Sequence, residues 1–453
     1  MPKLFGTSGI RGITNRELTA ELALKVGLAL ATKHEEGKFL IGRDTRVSGE
    51  FLEKALISGI LSAGANVTKL GIVPTPVLAY LTMKYDFDCG VMITASHNPP
   101  QHNGIKIFDK EGVALSMEKA EEIEQIIENQ DFKLARWNEI GKCQEASHLM
   151  DDYIKLIIEN LSFEKSWHVV IDPGCGATSI LAPLICRKLG CEVRAVNAQM
   201  DGFFPARSPL PDEESLKPLC RIVRELRANV GFAYDGDGDR MVAVDEKGNF
   251  APLDQTLALY AAYTIEKAGG GTIVTHVEAS MCIDKIVEET GGKVIRTRVG
   301  DVNIAEAMKR HHAVFGGEPC GAWIHPKYHY CPDGMLSSVL MLKMLEEREA
   351  ELSRLLESVP QYPILREKIE CPHMLKEKVM QRIEREIDSV FPNFKEKLTV
   401  DGVRLSLSEG WVLVRSSGTE PLIRITAEAE RREVADEIIR KTLHFVSRVI
   451  KEA

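Results

Sequence analysis

Apolar runs that suit buried strands alternate, along most of the chain, with longer stretches whose apolar residues recur at helical spacing. The runs that predict strands are 38–42, 90–95, 167–172, 229–234 and 272–276. The stretches that predict helices are 18–35, 51–64, 178–190 and 254–268. Such alternation is typical of βαβ units, in which helices cover a largely parallel sheet and functional loops lie at the carboxyl ends of the strands.

The C-terminal part of the chain follows a different pattern. Four apolar residues spaced at helical intervals predict one amphipathic helix: Leu375, Val379, Ile383 and Ile387. Strands are predicted at 403–407, 411–414 and 423–427, followed by a closing helix at 431–450. This order predicts an α+β module, and the proline-containing segment 359–373 is predicted to be the linker into it.

Length, charge and cysteine usage narrow the class of protein. The chain has 453 residues, more than the ~250–300 that one core usually holds, so several domains are expected. It carries 57 basic and 66 acidic residues, a net charge of -9, which argues against a duplex nucleic acid as partner. No apolar run approaches the ~20 residues of a membrane helix, and no signal peptide is recognisable. The ten cysteines are scattered without a CxxC pair, so we expect reduced thiols and a cytoplasmic location.

A serine follows one of the predicted strands, in the loop 94–100. Ser96 lies where the strand ends, so its hydroxyl could face a cleft. His97 is its neighbour, and adjacent residues of an extended chain point to opposite faces. The pair is therefore not expected to form a nucleophile–base arrangement. Taken alone, the loop favours an Asn-Pro turn with a capping serine.

Three carboxylates alternate with glycines directly after the strand 229–234: Asp235, Asp237 and Asp239. Carboxylate oxygens are the ligands that magnesium prefers, and the intervening glycines permit the backbone angles of a tight cluster. Without a cation, three carboxylates this close would repel one another. The spacing therefore predicts a magnesium site.

A third loop combines hydroxyls, a glycine and two arginines. Its members are Arg415, Ser416, Ser417, Gly418, Thr419 and Arg424. Such a set suits a phosphate dianion, although an ordinary polar turn between strands is the alternative.

A fourth loop, 316–321, places Glu318 and Cys320 after a short apolar run. Glu318 can accept hydrogen bonds from sugar hydroxyls, but a plain turn explains the loop equally well. No neighbouring base or metal supports Cys320 as a nucleophile. Lys106 and Arg298, each taken alone, are best interpreted as solvated surface charges.

Together, and in this order, these loops resemble the motifs of the alpha-D-phosphohexomutase family. The opening 5–12 is also similar to that family's start, so the resemblance runs from Phe5 to Pro421. It implies an α/β protein of four domains around a central cleft: three related α/β units with mixed, largely parallel sheets, and a C-terminal α+β domain. The domains are expected at 1–150, 151–250, 251–360 and 361–453.

The resemblance also implies a role for each loop. Ser96 would carry the phosphoryl group, and an oxygen of its phosphate would complete the magnesium site of Asp235, Asp237 and Asp239. The sugar would be bound at Glu318, beside Cys320. The non-reacting phosphate would be held by Arg415, Ser416, Ser417, Gly418, Thr419 and Arg424.

Further basic residues are implied near the transferring group. They are Arg11, Lys106 and Arg240, with Arg298 as an additional basic position. Lys106 or His97 would accept the proton of the attacking hydroxyl.

The implied reaction moves a phosphoryl group between two hydroxyls of a hexose through a bound hexose 1,6-bisphosphate. One Mg²⁺ per chain, the bisphosphate as activator, a small phosphosugar as partner and a monomer or homodimer are expected. The opening and the serine loop look closer to the phosphoglucosamine mutase branch than to the phosphomannomutase/phosphoglucomutase branch. Glucosamine 6-phosphate is therefore the expected substrate, mannose or glucose phosphates are the alternative, and a non-catalytic phosphosugar-binding scaffold is a distant one.

The chain departs from the family pattern in the sugar loop. Many members have a serine and a histidine where this chain has Cys320 and Ala322. A thiol is a weaker hydrogen-bonding group than a hydroxyl, and alanine exchanges no proton. The role of the missing histidine is left open, with His325 and His329 as candidates to replace it.

Overall fold

The computed structural model describes residues 4–6, 8–417 and 420–453. In these residues the chain forms four sheets of seven, four, four and five strands. None of the helices in the described ranges has the length and apolarity to cross a bilayer.

The first sheet is mixed and has the strand order β1-β2-β6-β5-β3-β4-β7. Its elements are β1 (Phe5–Gly6), β2 (Gly9–Ile13), α1 (Ala20–Lys33), β3 (Lys38–Arg43), α2 (Gly49–Ser62), β4 (Asn66–Ile72), α3 (Thr75–Lys84), β5 (Cys89–Ile93), β6 (His102–Asp109), α4 (Met117–Asn129) and β7 (Cys143–Glu145). β3 pairs in parallel with both β4 and β5, whereas β5 pairs antiparallel with β6. β5 is buried at every position, as its continuous apolar run predicts, because it lies inside a sheet covered on both faces.

The second and third units have smaller sheets with one antiparallel edge each. The second unit contains α5 (Met150–Asn160), β8 (His168–Asp172), α6 (Leu181–Lys188), β9 (Glu192–Ala195), α7 (Lys217–Leu226), β10 (Val230–Tyr234) and β11 (Met241–Val244), in the order β11-β10-β8-β9. The third contains α8 (Leu253–Ala268), β12 (Gly271–His276), α9 (Met281–Glu289), β13 (Gly292–Thr297), α10 (Asp301–His311), β14 (Phe315–Gly317), β15 (Trp323–Ile324), α11 (Gly334–Arg348) and α12 (Leu352–Leu356), in the order β13-β12-β14-β15.

The fourth sheet is antiparallel throughout, in the order β16-β20-β19-β18-β17. Its unit contains β16 (Ile364–Glu370), α13 (His373–Glu386), β17 (Glu396–Leu398), β18 (Val403–Ser406), β19 (Gly410–Ser416), β20 (Leu422–Ala429) and α14 (Arg432–Lys451). The predicted linker, 359–373, is not irregular throughout, because it contains the seven residues of the edge strand β16. Its partly exposed, charged sequence lacks the apolar alternation that would have marked it as a strand.

One apolar core runs through the first three units, and the fourth has a core of its own. A small cluster of Val277, Trp411 and Leu413 joins the third unit to the fourth. The mixed sheets of the three α/β units and the separate α+β unit confirm the predicted fold class.

Candidate active site

The loops after β5, β10 and β14, which follow strands of three different sheets, meet at one place between the units. One buried contact joins the first unit to the second. Ser96 Oγ donates a hydrogen bond to Asp235 Oδ2 at 2.6 Å, and the serine is only 1% exposed. The two residues that the sequence singled out in separate loops therefore belong to one buried site.

Ser96 has an unusual backbone conformation, with φ at +49°. This left-handed turn reverses the expected direction of its neighbour, and His97 Nδ1 lies 3.2 Å from Ser96 Oγ. The expectation that the two side chains face opposite sides is wrong, because it assumed an extended chain. A non-glycine residue in this region is uncommon and strained, and such strain concentrates at functional sites.

Arg46, which no sequence pattern singled out, stabilises the serine loop. Its guanidinium donates to four backbone carbonyls of the loop and the following turn: those of Ser96, Asn98, Pro99 and His102, at 2.7–3.0 Å. Asp44 Oδ2 accepts from Arg46 Nε at 2.9 Å and from Thr94 Oγ1 at 2.7 Å. This fully buried ion pair fixes the path of the chain around the nucleophile candidate.

The three aspartates form a compact acidic cluster. One oxygen from each of Asp235, Asp237 and Asp239 lies within 4.8 Å of the others, and all three residues are buried. Gly238 has φ +77°, and a Cβ at Gly236 would lie 2.6 Å from the Ser96 carbonyl oxygen. The two glycines therefore serve different needs, one a left-handed turn and the other a close approach between loops.

The cluster fits a hard divalent cation. Asp237 Oδ1 and Asp239 Oδ1 are buried and have no hydrogen-bond partner among the described residues. Burial, reinforced by the neighbouring carboxylates, raises the pKa of Asp235 well above its ordinary value and that of Asp237 to about 6. Such crowded, partnerless carboxylate oxygens are stable as anions when a cation lies between them.

Lys106 bridges the acidic cluster and the third unit, and it is not the solvated surface charge that the sequence suggested. Its Nζ donates to Asp301 Oδ2 at 2.8 Å and lies 3.4 Å from Asp239 Oδ2. Burial opposes its charge, but Asp301 and Asp239 outweigh burial and raise the pKa of Lys106 above its ordinary value. Asp301, at the start of α10, is a site residue that the sequence analysis did not assign.

Two further predicted cations lie near the serine. Arg11 Nη1 donates to Asn98 Oδ1 at 2.9 Å, and Arg240 Nε lies 3.8 Å from Asp239 Oδ1. Burial, together with these two arginines, lowers the pKa of His97 to about 3. The imidazole is therefore neutral at physiological pH.

The sugar-loop candidates form a pair in the third unit. Glu318 Oε1 accepts from the Gly300 amide at 3.0 Å, and Cys320 Sγ lies 3.8 Å from Glu318 Oε2. Burial raises the pKa of the Glu318 carboxyl, and it raises that of the Cys320 thiol to about 12, so the thiol stays protonated.

The two histidines considered as replacements for the missing family histidine are occupied elsewhere. His325 Nε2 is 2.9 Å from Ser337 Oγ, and His329 Nε2 is 2.9 Å from Asp333 Oδ2. Both rings are buried in the core of the third unit, where they stabilise packing.

In the fourth unit, the predicted phosphate loop follows β19. Arg415 bonds Asp401 Oδ1 through Nε at 3.0 Å and Glu278 Oε1, from the third unit, through Nη1 at 2.6 Å. Arg424 pairs with Glu420 at 2.9 Å. Ser416 ends the strand and Ser417 Oγ accepts from the Glu420 amide.

Two members of that loop, Gly418 and Thr419, lie outside the described residues. Arg298 is exposed, and its Nε donates to the Val400 carbonyl at 2.6 Å, a contact between the third and fourth units. The structure thus brings Ser96, His97, Arg11, Lys106, Arg240 and the three aspartates together. Glu318 and Cys320 lie beside them in the third unit, and Arg415 and Arg298 lie at the boundary with the fourth.

Sequence models of four domains described as phosphoglucomutase/phosphomannomutase domains I, II, III and C-terminal match this chain. They match residues 2–134, 151–248, 252–362 and 369–443. A probable phosphoglucosamine mutase of Pyrococcus abyssi is 46% identical over 100% of both chains. A phosphoglucosamine mutase of Methanocaldococcus jannaschii is 44% identical, with 99% of each chain covered.

Solved structures show the same fold. A phosphoglucomutase/phosphomannomutase family protein from Burkholderia thailandensis superposes with a TM-score of 0.88 at 26% identity, covering 99% of this chain and 98% of the other. An Aspergillus fumigatus N-acetylphosphoglucosamine mutase, solved with GlcNAc-6P and magnesium, shares the fold with a TM-score of 0.57 at 15% identity, covering 100% and 95%.

Proposed function

Because this chain belongs to the phosphoglucomutase/phosphomannomutase family, we propose that it isomerises glucosamine 6-phosphate and glucosamine 1-phosphate. The family's enzymes are phosphosugar mutases, a class of isomerase. The observation that carries the proposal is the Ser96 hydroxyl, buried and bonded at 2.6 Å to a carboxylate of the acidic cluster. The choice of amino sugar is supported by full-length relatives named phosphoglucosamine mutases at 44–46% identity.

In the proposed reaction, Ser96 carries the phosphoryl group at the start of the cycle. The free hydroxyl at C1 of glucosamine 6-phosphate attacks that phosphorus, the bond between phosphorus and Ser96 Oγ breaks, and a bound 1,6-bisphosphate forms. The sugar turns over in the cleft, and the phosphoryl group at C6 is transferred to Ser96 Oγ. Glucosamine 1-phosphate is then released. Because the sugar binds in two orientations, the loop at 415–419, with Arg424, would hold each phosphate in turn.

Asp235, Asp237 and Asp239 are proposed to hold one Mg²⁺, together with a phosphoserine oxygen. When bound, this ion neutralises negative charge that develops on the transferring oxygens. Arg11, Arg240 and Lys106 would add positive charge from this chain. The raised pKa of Lys106 keeps it protonated, which supports a role in charge neutralisation.

His97 is proposed to accept the proton of the attacking hydroxyl. The support is the 3.2 Å between Nδ1 and Ser96 Oγ. Glu318 and Cys320, with Arg298 at the edge, would contact the sugar.

A hexose 1,6-bisphosphate would activate the enzyme by phosphorylating Ser96. A cytoplasmic location is proposed, and the ten unpaired cysteines support it. A monomer or homodimer is proposed as the oligomeric state.

The test is turnover of glucosamine, glucose and mannose 1-phosphates to their 6-phosphates, with magnesium and trace hexose 1,6-bisphosphate. We expect the glucosamine compound to be preferred and Ser96→Ala to abolish turnover while phosphosugar binding persists. Equal or better rates on glucose or mannose would overturn the amino-sugar assignment. Full turnover by Ser96→Ala would overturn the phosphoserine mechanism, and release of inorganic phosphate without isomerisation would show a phosphatase.

A further inference from the structure

A buried lysine contacts the backbone of the predicted phosphate loop. Lys376, on α13, is 8% exposed. Its Nζ donates to the carbonyl of Ser417 at 2.7 Å and to the carbonyl of Glu420, on either side of positions 418 and 419. The backbone amide of Cys371 donates to the Pro421 carbonyl at 2.8 Å. The amino end of α13 is therefore attached to both ends of the loop.

The charge of Lys376 has no carboxylate partner within ion-pair distance among the described residues. Its remaining polar neighbour is His373 Nδ1, at 3.3 Å. Lys376 also lies in the first turn of α13, a helix without a side-chain cap, where the helix dipole is already positive. A buried cation at the positive end of a helix costs free energy unless an anion offsets it.

The other cations of the loop already have carboxylate partners. Arg415 is bonded to Asp401 and Glu278, and Arg424 is paired with Glu420. The positive charge that stays uncompensated at the loop is therefore that of Lys376. A phosphate dianion bound at the loop would supply the missing negative charge.

We propose that Lys376 is a positioning residue for the non-reacting phosphate of the phosphosugar. It holds the two ends of the loop at a fixed separation and keeps the loop electropositive, so that the phosphate is bound equally in either orientation of the sugar. This inference rests on the proposed function, in which the loop at 415–419 binds the phosphate that does not react.

The experiment compares Lys376→Met with Lys378→Met, which removes an exposed lysine of the same helix that donates to the Ala453 carbonyl. Equilibrium binding of glucosamine 6-phosphate and glucose 6-phosphate is measured by calorimetry, beside KM, kcat and the melting temperature. We expect Lys376→Met to weaken binding and raise KM about tenfold or more, because it removes both the positive charge beside the loop and the charge-assisted hydrogen bonds to its two ends. The change in kcat should be less than about threefold. Lys376→Arg should recover most of the affinity, and Lys378→Met should match the unmodified protein.

Unchanged affinity in Lys376→Met would overturn the proposal. So would a loss of affinity that accompanies a large drop in melting temperature and is not recovered by Lys376→Arg, since that would indicate a structural role alone. If Lys376→Met does not fold, Lys376→Gln, which keeps one donor without the charge, replaces it under the same criteria. If the unmodified protein binds glucosamine phosphates but does not isomerise them, the proposed function is refuted. The ratio of phosphosugar affinities between the unmodified protein and Lys376→Met would still decide the role of Lys376.

Discussion

Ser96 and Asp235, 139 positions apart in the sequence, share a 2.6 Å hydrogen bond across the boundary between the first two units. The contact requires that the loop after β5 and the loop after β10 approach within one hydrogen bond. Gly236 makes this possible, since a Cβ there would collide with the Ser96 carbonyl oxygen. The surroundings of Ser96 therefore depend on how the first two units pack against each other.

We expect the acidic cluster to destabilise the metal-free protein, because its carboxylates repel one another, and to stabilise the protein when magnesium is bound. Replacing one carboxylate, Asp237→Asn, removes repulsion in a buried cluster, so the metal-free protein should melt at the same or a higher temperature. Magnesium should raise the melting temperature of the unmodified protein and leave that of Asp237→Asn nearly unchanged. Differential scanning fluorimetry with EDTA or MgCl₂ measures both effects.

The matched control for that comparison is Glu213→Gln, which removes an exposed carboxylate of the same unit. It should respond to magnesium like the unmodified protein. A magnesium response in Asp237→Asn equal to that of the control would show that Asp237 is not a ligand. Turnover of Asp237→Asn should fall at least about a hundredfold, because charge neutralisation is a major part of phosphoryl-transfer catalysis.

We expect Arg46 to be essential for the conformation of the serine loop. All five of its N–H donors form hydrogen bonds, either with backbone carbonyls there or with Asp44. Arg46→Met would leave Asp44 buried without its cation, so we expect a loss of about 3–5 kcal/mol in the free energy of unfolding. The double variant Asp44→Asn with Arg46→Met should lose less than the sum of the two single variants. Chemical denaturation of the four proteins measures this coupling, and strict additivity would contradict it.

The sequence predicts the strands on which the site is built, and it predicts the acidic cluster from spacing alone. β5 and β10 are continuous apolar runs, and their carboxyl ends present Ser96 and Asp235 as the rules for parallel sheets require. The position of His97 could not be predicted, because it depends on a left-handed turn at Ser96 that non-glycine residues rarely adopt.

Arg46 and Lys376 could not be predicted for a different reason. Each acts through backbone carbonyls of a distant segment, and such contacts leave no pattern in residue type or spacing. The edge strand β16, which lies inside the predicted linker, could not be predicted because an exposed, charged edge has little apolar periodicity. Sequence patterns therefore describe the reacting groups better than the residues that hold them.

Buried histidine in the third unit should make stability depend on pH. Burial lowers the pKa of His325 to about 3, whereas an unfolded histidine titrates near 6.5. Between those values the unfolded chain binds more protons than the folded one, so stability falls as the pH falls below about 6.5. One such residue contributes a slope approaching about 1.4 kcal/mol per pH unit.

His325→Asn, which keeps a polar contact with Ser337, should flatten part of this dependence. The variant should be less stable than the unmodified protein at pH 7.5, because it loses ring packing on Tyr260. That difference should shrink as the pH is lowered to about 5. Melting temperatures across this range measure it, with the exposed His148→Asn as control. A difference that stays constant with pH would contradict the linkage.

Glu278 is expected to compete with substrate for the phosphate-loop arginine. Its Oε1 accepts from Arg415 Nη1 at 2.6 Å, across the boundary between the third and fourth units. The two side chains are about one-quarter and one-third exposed, so the pair contributes little net stability, of the order of 0.2–1 kcal/mol. Glu278→Gln removes the competing charge and should therefore lower KM for the phosphosugar about two- to fivefold, with little change in melting temperature.

Glu288→Gln, an exposed change on α9 in the same unit, should leave KM unchanged. A rise in KM for Glu278→Gln would instead mean that Glu278 holds Arg415 in its binding orientation, with the carboxylate and the phosphate sharing the guanidinium.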